Sequence, residues 1–304
     1  LTPFIQQAAR EQVLDVKNAA RKGRDVIDFV KNFAQPYVGR TVSAFIGSDD
    51  PDFIPELYRW ITLLESPPQE YSQEYEQALK ANSQKQANFF KKFIQSQRRY
   101  QNNNIITHLI QAKVEGKSLT DEELGRILEF LALAGFQAPT HALCHAVIHL
   151  AQRPGLVKEL IRAPDKIPLF VEESLRFNSS VHFLFRYTRH AVTLGNTTIP
   201  SGAPVAVNIA AANRDPSHFV DPDQFIITRE NNRDHLAFGY GVHNCLGATL
   251  ARTLMQTALE TILSHFNEIA CPEANKLPWN YSLLAHSITE LPVRFRNGQR
   301  SLDA

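Results

Sequence analysis

The feature that most constrains the fold is the ten-residue segment 238–247, which reads Phe-Gly-Tyr-Gly-Val-His-Asn-Cys-Leu-Gly. Its glycines, Gly239 and Gly241, permit backbone angles and close approaches that other residues do not allow. The apolar spacing of 247–266 predicts an amphipathic helix directly after Cys245. The unpaired N–H groups and the positive dipole end of such a helix stabilise an anionic sulfur. The segment therefore predicts a tight turn that presents a thiolate.

A lone thiolate in a glycine-rich turn suits a soft metal, and it suits haem better than zinc, which needs several protein ligands. Gly247 would let the following helix lie close under a flat macrocycle. An isolated cysteine in a tight turn is more often a buried structural residue, and that alternative applies to Cys245 taken alone. The complete order Phe-Gly-x-Gly-x-His-x-Cys-x-Gly favours metal binding instead.

The first two thirds of the chain are predicted to be helical, and one mainly α domain with a small β portion is expected over residues 1–304. Turn-forming residues separate the early helices at Gly47–Pro51, Ser66–Pro68 and Asn102–Asn104. The only β-rich stretch is Phe183–Asn208, and an irregular segment at 213–237 follows it. The predicted helices span 3–22, 24–47, 53–65, 71–98, 104–115, 120–152, Pro154–Arg162, Pro168–Phe177 and 247–266.

The longest predicted helix begins at Thr120, where Glu123 three residues later completes a capping box. Gly135 and Pro139 lie in its middle and should disturb its hydrogen-bond ladder. The stretch Leu131–Leu150 contains no Asp, Glu, Lys or Arg, so a membrane span is one interpretation. Its histidines, its proline and the acidic residues before it favour a helix buried inside the protein, and no membrane span is predicted.

The formal net charge of +1 gives no electrostatic reason to expect binding to nucleic acid or to an anionic membrane. The three cysteines lie far apart in the sequence. Such spacing is typical of a reducing compartment rather than of a disulfide framework, so a cytoplasmic protein is expected.

Taken together, the motifs of this chain resemble those of the cytochrome P450 family, most closely its soluble bacterial members. The segment 238–247 is similar to the haem-binding loop, and Glu173-Ser-Leu-Arg176 is similar to the Glu-x-x-Arg of the family's K helix. The resemblance implies a cytochrome P450 fold, with haem b between a long kinked central helix and the loop of Cys245. A single pair three residues apart is usually a surface ion pair, whereas the resemblance places Glu173 and Arg176 in a buried network.

The resemblance also assigns roles to individual residues. It implies that Cys245 is the axial ligand of the iron and that Phe238, Gly239, Gly241 and Gly247 shape its loop, with Phe238 shielding the sulfur. Arg186 and His243 correspond to residues that contact the haem propionates. On the central helix, Ala134 and Gly135 correspond to residues beside the oxygen-binding side.

The function implied by the resemblance is a monooxygenase that acts on an apolar organic small molecule. Its oxidant would be dioxygen with electrons from a ferredoxin and a reductase, or peroxide. Two alternatives stay open from the residues: a peroxygenase or hydroperoxide-rearranging enzyme, and a haem-binding protein without oxygen-activating activity.

The central helix departs from the pattern of most monooxygenase members, which read Ala-Gly-x-Asp/Glu-Thr. Here the aligned residues are Ala134-Gly135-Phe136-Gln137-Ala138. Gln137 cannot supply a proton as a carboxylic acid can, and Ala138 has no hydroxyl. Thr140 is the nearest hydroxyl, but two residues along a regular helix turn its side chain by roughly 200°. A changed route for protons is therefore expected.

Two further departures concern the N-terminus and the network of Glu173 and Arg176. The segment Leu1–Ile5 resembles the part of the family that follows the C helix, so about a quarter of a usual member is expected to be missing. Either the sequence is incomplete or this is an unusually short member. Gln224 stands where an arginine often completes the Glu-Arg network, and Arg214 is a candidate substitute.

Two groups of side chains have more than one interpretation. The histidines 141, 145 and 149 share one helix face, where two imidazoles four residues apart can bind zinc, but no carboxylate ligand is near and packing is expected. Three basic residues flank the haem-loop motif and are candidates for contact with an acidic redox partner, or for a solvated surface. These are Arg229, Arg233 and Arg252.

Overall fold

A computed structural model describes residues 1–23, 25–65, 72–99, 104–281 and 285–296. Helices dominate, as the sequence predicts, and the strands are short. The helices are α1 (Thr2–Arg21), α2 (Gln35–Ile46), α3 (Phe53–Glu65), α4 (Gln73–Arg99), α5 (Ile105–Gln111), α6 (Asp121–Ala151), α7 (Pro154–Arg162), α8 (Ile167–Phe177), α9 (Ile209–Ala212) and α10 (Ala248–His265).

The strands pair in antiparallel fashion throughout. β11 lies between β1 and β8, while β2–β3, β4–β7, β5–β6 and β9–β10 form two-stranded sheets. The strands are β1 (Val26–Asp28), β2 (Lys113–Val114), β3 (Lys117–Ser118), β4 (Phe183–Tyr187), β5 (Val192–Leu194), β6 (Thr197–Ile199), β7 (Pro204–Asn208), β8 (Glu268–Ala270), β9 (Trp279–Tyr281), β10 (His286–Ile288) and β11 (Pro292–Arg296).

Helix α6 is the centre of the fold and packs against α2, α4, α8 and α10. Thr120 caps it through its side chain, and Glu123 completes the capping box as predicted. Among the described residues, α6 is the one helix long and apolar enough to cross a membrane. All residues from Thr140 to Leu150 are buried among the other helices, which favours the interpretation as a core helix.

Two predicted helix boundaries are wrong. The predicted helix 24–47 begins instead with strand β1 and a π-helix at Val30–Ala34, because Val26–Asp28 pairs with Pro292–Arg294, about 270 residues away. The predicted helix 104–115 ends at Gln111, because Glu115 and Gly116 adopt positive φ and form the turn of the β2–β3 hairpin.

The remaining helix predictions agree with the structure within the usual uncertainty of helix ends. The turn at Ser66–Pro68, residues 102 and 103, and the predicted start of the fourth helix at residue 71 lie outside the described residues. The buried apolar side chains from the helices and from β8, β10 and β11 form a common core. Single-domain organisation stays a prediction.

Candidate functional site

The segment 238–247 forms an exposed turn ahead of α10. Gly239 and Gly241 have φ of 72° and 74°, in the left-handed region that favours glycine. The amide of Cys245 donates to the carbonyl of Phe238 (2.8 Å), which closes the turn. Cys245 itself is exposed, and Gly247 is the N-cap of α10. The turn therefore presents a thiol to the surface at a helix start, as the sequence predicts.

Gly247 lies on the side of the turn that faces the sulfur. A Cβ at this position would stand 3.9 Å from the Sγ of Cys245, in van der Waals contact with it. The neighbouring apolar side chains Tyr240, Val242 and Leu246 are 87–97% exposed. Large apolar side chains that project so fully are expected to be covered by a ligand or a partner.

The donor set fits haem better than a bare metal ion. Among the described residues no group of three or more His, Cys, Asp or Glu side chains is placed to hold a metal ion. A metal at Cys245 must therefore bring most of its ligands with it, as an iron porphyrin does. The residues present fit haem on this ground, together with the apolar side chains that surround the thiol.

The two side chains assigned to the propionates are both available to an anion. Arg186 lies on β4, is exposed, and donates to the carbonyl of Phe185 (2.8 Å). It forms no ion pair with a carboxylate in the part of the chain that the structure describes. His243 is exposed at the end of the 3₁₀ turn Gly241–His243. Their contact with propionates stays a prediction.

Glu173 and Arg176 form a buried network, which confirms the prediction that the pair is not superficial. Both side chains are fully buried, and the guanidinium binds the carboxylate through two hydrogen bonds of 2.8 Å. Arg176 also donates to three carbonyls of the irregular segment 213–237, while Glu173 accepts from the amide of Ile226 (2.7 Å). The three carbonyls belong to Asn213, Pro222 and Gln224.

Arg229 lies beside Glu173 and takes the place of the arginine that is replaced by Gln224. The prediction that Arg214 is the substitute is therefore wrong. The Nε of Arg229 lies 3.5 Å from the carboxylate of Glu173, and its side chain is 5% exposed. Arg214 instead pairs with Asp223 and donates to the carbonyl of Phe177. Because Arg229 is buried, its interpretation as a contact for a redox partner is wrong as well.

On α6, the residues assigned to the oxygen-binding side differ in exposure. Ala134 is exposed, while Gly135, Gln137 and Ala138 are partly buried. Pro139 has no amide to donate to the carbonyl of Gly135, so the ladder is interrupted there. Their position beside bound oxygen stays a prediction.

Two hydroxyl groups bond to the α6 backbone beside the interruption at Pro139. Ser180 donates to the carbonyl of Ala138 (3.0 Å), and Thr140 donates to the carbonyl of Phe136 (2.7 Å). The Thr140 hydroxyl is thus buried and bonded to its own helix. Its hydrogen is directed to that carbonyl and is not presented to a substrate.

Two of the three α6 histidines, His145 and His149, pack against other aromatic rings. The Nδ1 of His145 donates to the carbonyl of Asn178 (3.2 Å), and its ring lies 4.8 Å from that of His286. His149 packs against Phe225, with ring centroids 4.5 Å apart. Burial lowers the pKa of His149 to about 3, with nearby arginines adding to the shift, so it is neutral near pH 7.

A second buried carboxylate, Glu172, lies next to Glu173 on α8 and belongs to none of the motifs visible in the sequence. It binds Arg252 through two hydrogen bonds and His235 through one. Arg252 is therefore engaged in an ion pair rather than free to bind a partner, and Arg233 alone of the three flanking arginines is exposed without a pair among the described residues. The available signal is a pair of consecutive acidic residues within a largely apolar helix.

Comparison with known proteins gives consistent results. The model of the family described as Cytochrome P450 matches residues 51–293. Cytochrome P450 107B1 of Saccharopolyspora erythraea is 32% identical over 289 residues, which cover 93% of this chain and 69% of that relative. Mycinamicin IV hydroxylase/epoxidase of Micromonospora griseorubida is 33% identical over 297 residues, which cover 96% of this chain and 72% of that protein.

Solved structures have the same fold. The ligand-free structure of Cytochrome P450 TbtJ1 aligns with a TM-score of 0.87 and 30% identity, over 97% of this chain and 76% of that one. The prediction of a mainly α cytochrome P450 fold with a small β portion is confirmed.

Proposed function

The chain belongs to the cytochrome P450 family, whose members are haem-thiolate monooxygenases of organic substrates, and from this premise we propose that the thiolate of Cys245 would hold the iron of a haem b. The observation that carries the proposal is the exposed Cys245 in a glycine-rich turn at the start of α10. The chain is an oxidoreductase of the monooxygenase type. A peroxygenase, a hydroperoxide-rearranging enzyme and an inactive haem-binding protein are not favoured by the comparisons.

Haem, when bound, would supply the chemistry that activates dioxygen, and the thiolate of Cys245 would hold its iron and donate electron density to it. The side chains of this protein bind and orient the group. Arg186 and His243 would hold the propionates by charge-assisted hydrogen bonds, which are about twice as strong as neutral ones. Phe238, whose carbonyl accepts from the amide of Cys245, would shield the sulfur from water.

Small residues of α6 would leave room where the substrate binds. Ala134 and Gly135 present little or no side chain there, so oxygen and an apolar substrate can approach. Gln137 offers an amide that hydrogen-bonds but does not release a proton, and Ala138 offers no hydroxyl. Because the hydroxyl of Thr140 is bonded to Phe136, we propose that water carries the protons past this part of α6.

The expected partners follow from the same proposal. The substrate is an apolar small molecule, and the electrons come from a ferredoxin and its reductase, for which the exposed Arg233 is a candidate contact. The described chain contains three free cysteines and no disulfide between them, which supports a cytoplasmic location.

The proposal is tested by turnover of the haem-loaded protein. With ferredoxin, reductase and a panel of apolar organic substrates, we expect formation of a hydroxylated or epoxidised product that depends on both reductant and dioxygen. Arg186→Ala should reduce the affinity for haem, whereas Arg189→Ala, an exposed arginine just beyond β4, should not. Haem binding without any reductant-dependent product would contradict the monooxygenase function.

A further inference from the structure

Glu172 is a buried charge whose two partners, Arg252 and His235, come from separate parts of the chain. It lies on α8 and is 1% exposed. Its two oxygens accept from Nε (2.6 Å) and Nη2 (2.9 Å) of Arg252 on α10, and one also contacts Nε2 of His235 (3.1 Å). Burial raises the pKa of Glu172, but these hydrogen bonds outweigh it and lower the pKa to about 2. The carboxylate is therefore ionised and fully paired.

His235 has a defined orientation and tautomer. Its Nδ1 accepts from the amide of Ala237 (3.2 Å), so the proton of the neutral ring lies on Nε2 and is donated to Glu172. His235 is also buried. The Nε2 of His235 thus ties the segment before the Cys245 turn to α8, and its Nδ1 ties that segment to the backbone of Ala237.

Phe238 is the point where this network meets the turn. The guanidinium carbon of Arg252 lies 4.5 Å from the centroid of its ring, and the ring of His235 lies 5.9 Å from it. A cation over an aromatic face is attracted to it. The carbonyl of Phe238 accepts the amide hydrogen of Cys245 (2.8 Å). One residue therefore connects the network to the backbone of the cysteine.

The turn has few other anchors. Val242 and Leu246, on either side of Cys245, are 97% and 88% exposed, so they pack against little of the protein. Phe238 is the large apolar side chain of the turn that packs against the core. The position of Cys245 therefore depends on Phe238 more than on its own neighbours.

We propose that Glu172, Arg252 and His235, here called the Glu172 clamp, are positioning residues that hold Phe238 and thereby fix the thiolate of Cys245 for ligation. This inference rests on the proposed function, because it assumes that Cys245 is the haem ligand. The clamp is distinct from the Glu173–Arg176 network, whose guanidinium binds three carbonyls of the irregular segment 213–237.

The clamp is tested in the haem-loaded protein by the rate at which its reduced carbon monoxide complex loses the red-shifted band typical of thiolate ligation. Glu172→Gln keeps the shape and removes the charge, and Arg252→Lys keeps the charge but loses the two-pronged bond and the flat stacking group. We expect each variant to lose the band at least about tenfold faster, the effect of about 1.4 kcal/mol expected for one charge-assisted hydrogen bond. The matched control is Asp223→Asn, which removes the exposed partner of Arg214 and should leave the rate unchanged.

A second background separates positioning from general stability. If the clamp acts through Phe238, Arg252→Lys should change the rate little once Phe238→Leu has removed the ring. Equal acceleration in both backgrounds, or no acceleration by Arg252→Lys, would overturn the inference. If Glu172→Gln does not fold, Arg252→Lys decides alone, because that side chain is 31% exposed. A missing band in the unmodified protein would instead refute Cys245 as the ligand.

Discussion

Removal of Arg176 should destabilise the whole protein, because this side chain satisfies a buried charge and three backbone groups at once. In Arg176→Ala, Glu173 keeps the amide of Ile226 and the more distant Arg229 but loses both bonds of 2.8 Å. Breaking a buried charged pair costs about 3–5 kcal/mol. The orphaned carbonyls add to that cost, whereas a domain is stable by only about 5–15 kcal/mol.

The assay compares soluble yield, haem content and urea unfolding of Arg176→Ala with a surface control. Arg126→Ala removes an ion pair of similar length (2.7 Å) to Glu122, in which both side chains are 76% exposed. The control should change the free energy of unfolding by no more than about 0.5 kcal/mol. We expect Arg176→Ala to yield little soluble haem-loaded protein. A fully loaded variant within about 1 kcal/mol of the unmodified protein would refute the reasoning.

Three further outcomes are expected. The double change Gln137→Asp and Ala138→Thr should introduce the acid and hydroxyl and raise the product formed per reductant consumed; tight coupling in the unmodified protein would contradict this. The pKa of His149 is about 3 in the folded protein and near 6.5 in an unfolded chain, so between these values the unfolded chain binds a proton that the folded protein does not. The stability contributed by this difference is fully present above about pH 6.5 and is lost as the pH falls toward 3. His149→Leu should therefore flatten the loss of stability across that pH range in urea titrations, and an unchanged slope would speak against it. Gly241→Ala should lower haem retention because φ is 74° there, whereas Gly155→Ala, in a helix with open space around it, should not.

The sequence predicts best those features whose causes lie within a few residues. The Thr120 cap and the glycine turn before Cys245 depend on neighbours along the chain, and both form as expected. Strand β1 could not be predicted in this way, because the partner of Val26–Asp28 is the distant strand β11. A short apolar stretch has no helix or strand identity until such a partner is known.

The residues of the site divide in the same way, into those set by neighbours along the chain and those set by distant partners. Cys245, Phe238 and the altered residues of α6 are visible in the order of amino acids, since each belongs to a continuous motif. The choice between Arg214 and Arg229 depends on how the irregular segment 213–237 folds back on α8, and that segment has no periodic pattern to read. The Glu172 clamp was likewise hidden, because its three members are separated by 17 and 63 residues along the chain.

The most direct test of the central claim is the reduced carbon monoxide spectrum of Cys245→Ser, measured beside Cys271→Ser. Cys271, which directly follows β8 in the sequence, is a second free cysteine. Its side chain is partly buried, and it serves as the matched control. With Cys245 as the thiolate ligand, the red-shifted band is present in the unmodified protein and in Cys271→Ser but absent from Cys245→Ser. Survival of the band in Cys245→Ser would contradict the claim.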